Sequence, residues 1–186
     1  MARLRTYKLA FAVLICTVLT ALALSSFAGA AKPGAETFAG TCEMSGVIRH
    51  QPPLTNAPAP AEAHGSFSGT CSGTFTDRNG GTHQLDGAPA RYEARAAGDL
   101  SCLGGTATGS GRLLFGGGQA IEFSLTERRG PGLAVVTLEG AAGGSATVVG
   151  TVSQSEDPAE INERCNGSGL RTVRGDARIE SPGISG

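Results

Sequence analysis

One short pattern, Phe-x-Gly-Thr-Cys, occurs twice in this chain, each time inside a run that alternates residue by residue. In the first run Phe38, Gly40, Cys42, Met44, Gly46 and Ile48 share one face, with Thr41, Glu43, Ser45 and Arg49 between them. In the second, Phe67, Gly69, Cys71, Gly73 and Phe75 alternate with serines and threonines. A period of two is that of a half-buried β-strand, whose successive side chains point to opposite faces. If the two strands pair antiparallel with Cys42 opposite Cys71, then Phe38 falls opposite Phe75 and Phe67 opposite Gly46. One register thus satisfies several contacts, including an aromatic ring lying over bare glycine backbone. The expected disulfide is therefore Cys42 to Cys71. Cys102 and Cys165 form the remaining pair, in one of three connectivities that four cysteines allow.

The same alternation recurs downstream. It predicts a short polar strand after the Asn79-Gly80 turn, then strands around Tyr92 to Ala96, Ala107 to Phe115, Ile121 to Thr126, Leu133 to Glu139, Ala146 to Val152 and Val173 to Ile179,. Leu133 to Glu139 is apolar on both faces, which predicts a central strand. About eight strands at this spacing make an all-β domain, an antiparallel β-barrel or β-sandwich. One short helix is expected near the C-terminus, where Asp157 caps, Pro158 takes the first turn, Glu160 completes a D-x-x-E box and Gly167 stops it,. Between the first two strands, Arg49 to His64 reads as a long proline-rich loop. Its His50, Pro52, Pro53, Leu54, Asn56 and His64 are the candidate binding residues, since long ordered loops are over-represented among functional ones.

The N-terminus supplies the cellular setting. Arg3, Arg5 and Lys8 precede an uncharged run from Leu9 to Leu24 and the triplet Ala28-Gly29-Ala30, the layout of a secretory signal peptide over residues 1–30. An uncleaved anchor is the competing reading, and Ile15 before Cys16 argues against lipidation. Cleavage leaves residues 31–186 as a single domain with Cys42, Cys71, Cys102 and Cys165, an even set that favours two disulfides in an exported protein. The leader holds three cations and no carboxylate, so the remainder is acidic by about four charges,. With no basic run, nucleic acid is a poor partner, and no membrane span remains after cleavage. The expected location is secreted or cell envelope.

Common catalytic signatures are absent. Gly65-Ser66-Phe67-Ser68-Gly69 has phenylalanine where a nucleophile elbow requires serine, and there is no phosphate loop, dinucleotide fingerprint or H-E-x-x-H,. His50, His64 and His83 read as surface residues at strand ends. The proposed register makes His50 and His64 neighbours, and with Glu62 they would form only a weak metal set; no metal or cofactor is expected. Glu122 and Glu139 are the acids most embedded in strands, both on solvent-facing positions. Asp77 to Gly80 reads as a hairpin turn rather than a calcium loop. With no Trp and, beyond the leader, Tyr92 as the lone tyrosine, little remains to build an aromatic sugar platform. An apolar-lined barrel for a small hydrophobic ligand is compatible with the pattern.

Thr41 to Gly46, Pro52 to Asn56, Gly69 to Thr74 and Leu85 to Ala90 together resemble uncharacterised secreted β-rich proteins of actinobacteria. The resemblance implies export and a bacterial source, and it supplies no activity and no catalytic residues. The expected function is a non-catalytic extracellular or cell-envelope binding module for a small ligand or a protein partner. The alternative is a secreted hydrolase whose carboxylates assemble only in three dimensions.

Overall fold

The computed structural model describes residues 34–186; the expected leader, 1–30, and its Cys16 lie outside the described residues. Eight antiparallel strands follow one another around a closed barrel, β1 (Thr37–Leu54), β2 (Ala59–Thr76), β3 (Thr82–Ser101), β4 (Gly104–Phe115), β5 (Ala120–Gly130), β6 (Leu133–Gly140), β7 (Gly143–Val152) and β8 (Leu170–Ser185). Each strand pairs with the next, and β8 returns to pair with β1 from Thr37↔Ser185 to Arg49↔Thr172. Closure leaves no edge strand open to association, and this decides between the barrel and the sandwich.

The opening register is as the sequence predicts, with Cys42↔Cys71, Phe38↔Phe75 and Gly46↔Phe67 across β1 and β2. Both disulfides form, Cys42 to Cys71 and Cys102 to Cys165. The glycine under Phe67 is required by close approach. A Cβ on Gly46 would lie 2.6 Å from the Phe67 Cα and 2.8 Å from its ring.

Three expectations change. The short strand after Asn79-Gly80 and the Tyr92 strand are one continuous β3. The polar residues that mask it, such as Gln84 and Asp86, are exposed on either side of Leu85, which packs against the core. The long loop from Arg49 to His64 shrinks to residues 55–58, because β1 and β2 both extend into it. The prolines mark where the β1–β2 ladder stops, at Gln51↔Glu62, beyond which β1 leans on β8 through Leu54↔Leu170 and β2 on β3 through Ala59↔Leu100. Proline has no N–H to give a ladder. β6 is not central, because a closed ring has no centre. Its outward Leu133 and Val135 are exposed beside Val149 of β7.

The helix α1 (Pro158–Asn166) lies between β7 and β8, with the Asp157 carboxylate accepting from the Ala159 N–H at 2.9 Å. Glu160 does not complete the box but pairs with Arg164 one turn on, at 3.1 Å. In a ring of eight, the β3–β4 and β7–β8 connections stand on opposite sides of the same barrel end. The Cys102–Cys165 bond joins those connections, so it ties α1 across the mouth. The β1–β2 turn joins this cap through a Cys102 N–H to Thr55 carbonyl bond of 2.8 Å and an Asn56 to Asn166 bond of 2.7 Å.

The opposite end is solid. Phe115 packs against Phe38 and Phe75 with ring centroids 5.1 and 5.2 Å apart, and Leu113, Ile121, Ile179 and Ile184 are almost wholly buried around them. The terminal backbone seals this end, where Glu36 and Gly186 exchange hydrogen bonds of 3.2 and 3.0 Å.

Candidate functional site

Moving along the barrel from the phenylalanine end toward α1, the inward side chains shrink. Ala63 and Gly65 on β2, Ala94 and Ala96 on β3, Gly150 on β7 and Ala177 on β8 face the axis where large residues would be needed to fill it. Small inward residues in a ring of fixed width leave space. Two adjoining cavities result. One of about 70 Å3 lies between Tyr92, Val136 and Val148, and one of about 130 Å3 lies directly beneath α1, against Ile161 and Cys165. Ile48, Phe67, Arg129, Ala134 and Gly150 line both. The larger cavity reaches the surface beside the β5–β6 turn, at Gly132 and the exposed Leu133.

Three ionisable side chains meet in this interior. β5 alternates inward through Ile121, Phe123 and Leu125 and then, with unbroken parity, through Glu127 and Arg129. Across the barrel, β1 continues inward from Ile48 to His50. Arg129 grips the Glu127 carboxylate with two N–H groups, Nε to Oε1 and Nη2 to Oε2, the latter at 3.1 Å, and its Nη1 lies 2.6 Å from His50 Nε2. Glu127 is 6% exposed and His50 3%. A bidentate, desolvated arginine–carboxylate pair is geometrically specific, and breaking one half leaves a buried charge unmatched.

The protonation of His50 follows from its neighbour. Arginine is always charged and only donates, so His50 Nε2 must be the acceptor and its ring is neutral with the proton on Nδ1. Burial first, and the Arg129 charge second, lower the His50 pKa to about 4, with the Leu170 backbone opposing them. The Leu170 carbonyl nevertheless closes no hydrogen bond of good geometry. His50 Nδ1 is buried without a partner among the described residues. Tyr92, stacked on Phe123 at 5.4 Å and edge-on to Phe67 at 6.0 Å, has its phenol pKa raised, by burial and then by the Glu127 charge.

The structure scatters the candidate loop residues. His50 is not a surface histidine but an interior one, and Leu54 is buried as a wall of the larger cavity. Asn56 fastens the cap, whereas Pro52 is exposed and Pro53 half-buried at the outer rim. His64 faces outward and pairs with Glu62 at 3.3 Å. The register does set His50 opposite Ala63 and Arg49 opposite His64. Because faces alternate, however, neighbouring positions put the two imidazoles on opposite sides of the wall, and the weak metal set does not assemble. Glu127 and Arg129 were legible as the continuation of the Ile121, Phe123, Leu125 face into two opposite charges. The expected strand stops at Thr126, one residue short of them.

The other sequence candidates lie on the outer wall. Glu122 and Glu139 open into a broad trough over β2 to β6, where Arg112 holds Glu93 through bonds of 3.0 and 2.8 Å. These acids are exposed, and an open face has no means of excluding water from a reacting bond. Asp77 is used within its turn, accepting from the Asn79 and Gly81 N–H groups at 2.8 and 2.9 Å and meeting His83 at 3.1 Å. Those bonds, His83's first, lower its pKa. Among the described residues, no cluster of three His, Cys, Asp or Glu side chains is placed to hold a metal ion.

No protein-family model, curated protein or solved structure matches the chain, so the functional reading rests on the interior site.

Proposed function

We propose that this barrel is a non-catalytic extracellular or cell-envelope carrier that takes a small, mostly apolar molecule into the cavity beneath α1. The observation that carries this reading is the asymmetry of the interior, which is packed with aromatic rings at one end and lined with alanine and glycine at the other. An unfilled volume in a core forfeits packing energy, at a cost that rises with its size. A chain that lines one end with small residues and roofs it with a disulfide-tied helix retains that cost for a purpose. An engineered apolar cavity of about 150 Å3 binds benzene, and the cavity of about 130 Å3 is of that scale.

The two disulfides support an oxidising location,. The outer wall carries charged groups such as Glu43, Arg178 and Glu180, linked by bonds of 2.8 Å. A barrel embedded in lipid would present an apolar band there instead, so the outward polarity supports a protein that works in water. No helix among the described residues is long and apolar enough to cross a membrane.

Gly150 provides the test. It lines both cavities, and a Cβ added to it would meet nothing closer than 3.9 Å. Gly150→Ile should therefore fill the space without strain, raise stability and abolish uptake. Titrating the oxidised domain with benzene or indole should shift the NMR signals of Leu54, Phe67 and Ile161 in the wild type and leave them unmoved in the variant. Signals that move equally in both proteins, or in neither, would overturn the carrier reading.

A further inference from the structure

Resting on the carrier reading, the geometry points to the chemical class of the ligand. We infer that the cavity beneath α1 takes a neutral molecule of about six to nine non-hydrogen atoms that carries a single carbonyl-type oxygen. That oxygen accepts a hydrogen bond from an uncommitted N–H of Arg129.

The argument begins with unused donors. A guanidinium has five N–H bonds, of which three are committed, two to Glu127 and one to His50. One N–H on each terminal nitrogen remains. His50 serves only as the acceptor already counted, since its Nδ1–H points away from Arg129 on the opposite side of the ring,. Both residues line the larger cavity, whose wall is mainly apolar, at Ile48, Leu54, Phe67, Ile161 and Val173, and also includes Ser101, Thr151, Arg174 and Asp176. A buried donor without an acceptor costs free energy that a ligand oxygen would recover. Arg129 offers donors and no acceptor, so the group it takes is one that accepts.

Charge then separates a carbonyl from a carboxylate. The Arg129 and Glu127 charges cancel, as do those of Arg174 and Asp176 on the cavity lining, and His50 is neutral, so the surroundings are electrically balanced before anything enters. A carboxylate would bring an unmatched charge into a region shielded from water, which is strongly unfavourable. A ketone, aldehyde or lactone oxygen brings the lone pairs without the charge. The ring and chain carbons of such a molecule would lie against Phe67 and Ile161, and the adjoining smaller cavity admits a short tail.

Three probes of similar size decide the matter on the unmodified protein: cyclohexanone, the equally shaped hydrocarbon methylenecyclohexane, and cyclohexanecarboxylate, with benzene as a general apolar probe. The expected result, read by NMR titration of the oxidised domain, is that cyclohexanone binds about tenfold more tightly than methylenecyclohexane, the ratio one hydrogen bond to a charged donor supplies. Cyclohexanecarboxylate should bind more weakly than the ketone. In Glu127→Gln/Arg129→Met the ketone advantage should shrink while hydrocarbon binding persists, and if that variant does not fold, the wild-type ranking still decides. Equal affinity for ketone and hydrocarbon, or tightest binding of the carboxylate, would overturn the carbonyl assignment and leave the carrier intact. Failure of every probe, benzene included, would overturn the carrier reading beneath it.

Discussion

Acid should weaken this barrel through one buried imidazole. In the folded protein His50 has a pKa near 4 against an ordinary value of 6.5, because burial and the Arg129 charge disfavour its protonated form. Above pH 6.5 the imidazole is neutral in both folded and unfolded chains, and the full stability is present. As the pH falls below 6.5, the unfolded chain takes up a proton that the fold refuses until about pH 4. Stability is thus lost across that window at up to about 1.4 kcal/mol per pH unit and then levels off. Between pH 7 and pH 5 the loss attributable to His50 is about 2 kcal/mol. His50→Gln, whose amide does not titrate, removes this contribution, while His64, His83 and all the carboxylates remain and cancel between the two proteins. The assay is urea unfolding followed by far-ultraviolet circular dichroism at pH 7, 6 and 5, with the disulfides intact. The wild type should lose about 2 kcal/mol more than the variant over that interval. Parallel stability profiles would refute the assignment of His50 as a buried neutral acceptor for Arg129, whatever the absolute stability of the variant.

Other expectations follow from particular contacts. Arg129→Met should destabilise the fold by about 3 to 5 kcal/mol by leaving the Glu127 charge unpaired, and the double variant Glu127→Gln/Arg129→Met should recover much of that loss in the same unfolding assay. Gly46→Ala should cost about 3 kcal/mol, since its Cβ would strike the Ser66 carbonyl at 2.2 Å as well as Phe67. Gly116→Ala, with nothing within 4 Å, should be nearly neutral in thermal denaturation. Replacing both Cys102 and Cys165 by serine opens a link between residues 63 apart in sequence. It should lower stability by up to about 4 kcal/mol on chain-entropy grounds. Amide hydrogen exchange should then quicken selectively in α1 and the β1–β2 turn, with the phenylalanine end unaffected.

Much of the architecture could be read from local pattern, because a strand announces itself by alternation and two strands of matched pattern announce their register. The paired Phe-x-Gly-Thr-Cys runs determined the first hairpin, its disulfide and the ring over Gly46. The leftover cysteines then determined the second bridge, and Asp157 with Pro158 the start of α1. The limits of β1, β2 and β3 were harder to see. Prolines and polar residues interrupt the alternation at Pro52, Pro60 and Gln84, yet the strands run on, because Leu54 finds Leu170, Pro60 finds Asp99 and Gln84 finds Thr74 on neighbouring strands. Local sequence carries no record of a neighbour's support.

The site divides in the same way. Which side chains face inward is a matter of parity, so His50, Glu127 and Arg129 were determined by the sequence as members of inner faces once their strands were extended far enough. That the three meet was decided only by closure of the ring. β1 and β5 stand on opposite sides of the barrel, and the 79 residues separating His50 from Arg129 place no constraint on their distance until eight strands curl to a fixed diameter. The cavity has the same origin. Alanine and glycine at inward positions are ordinary in any one strand, and they become a hollow only when four strands present them at one level. That sum belongs to the tertiary structure, because empty volume is a property of what surrounds it and not of any single segment.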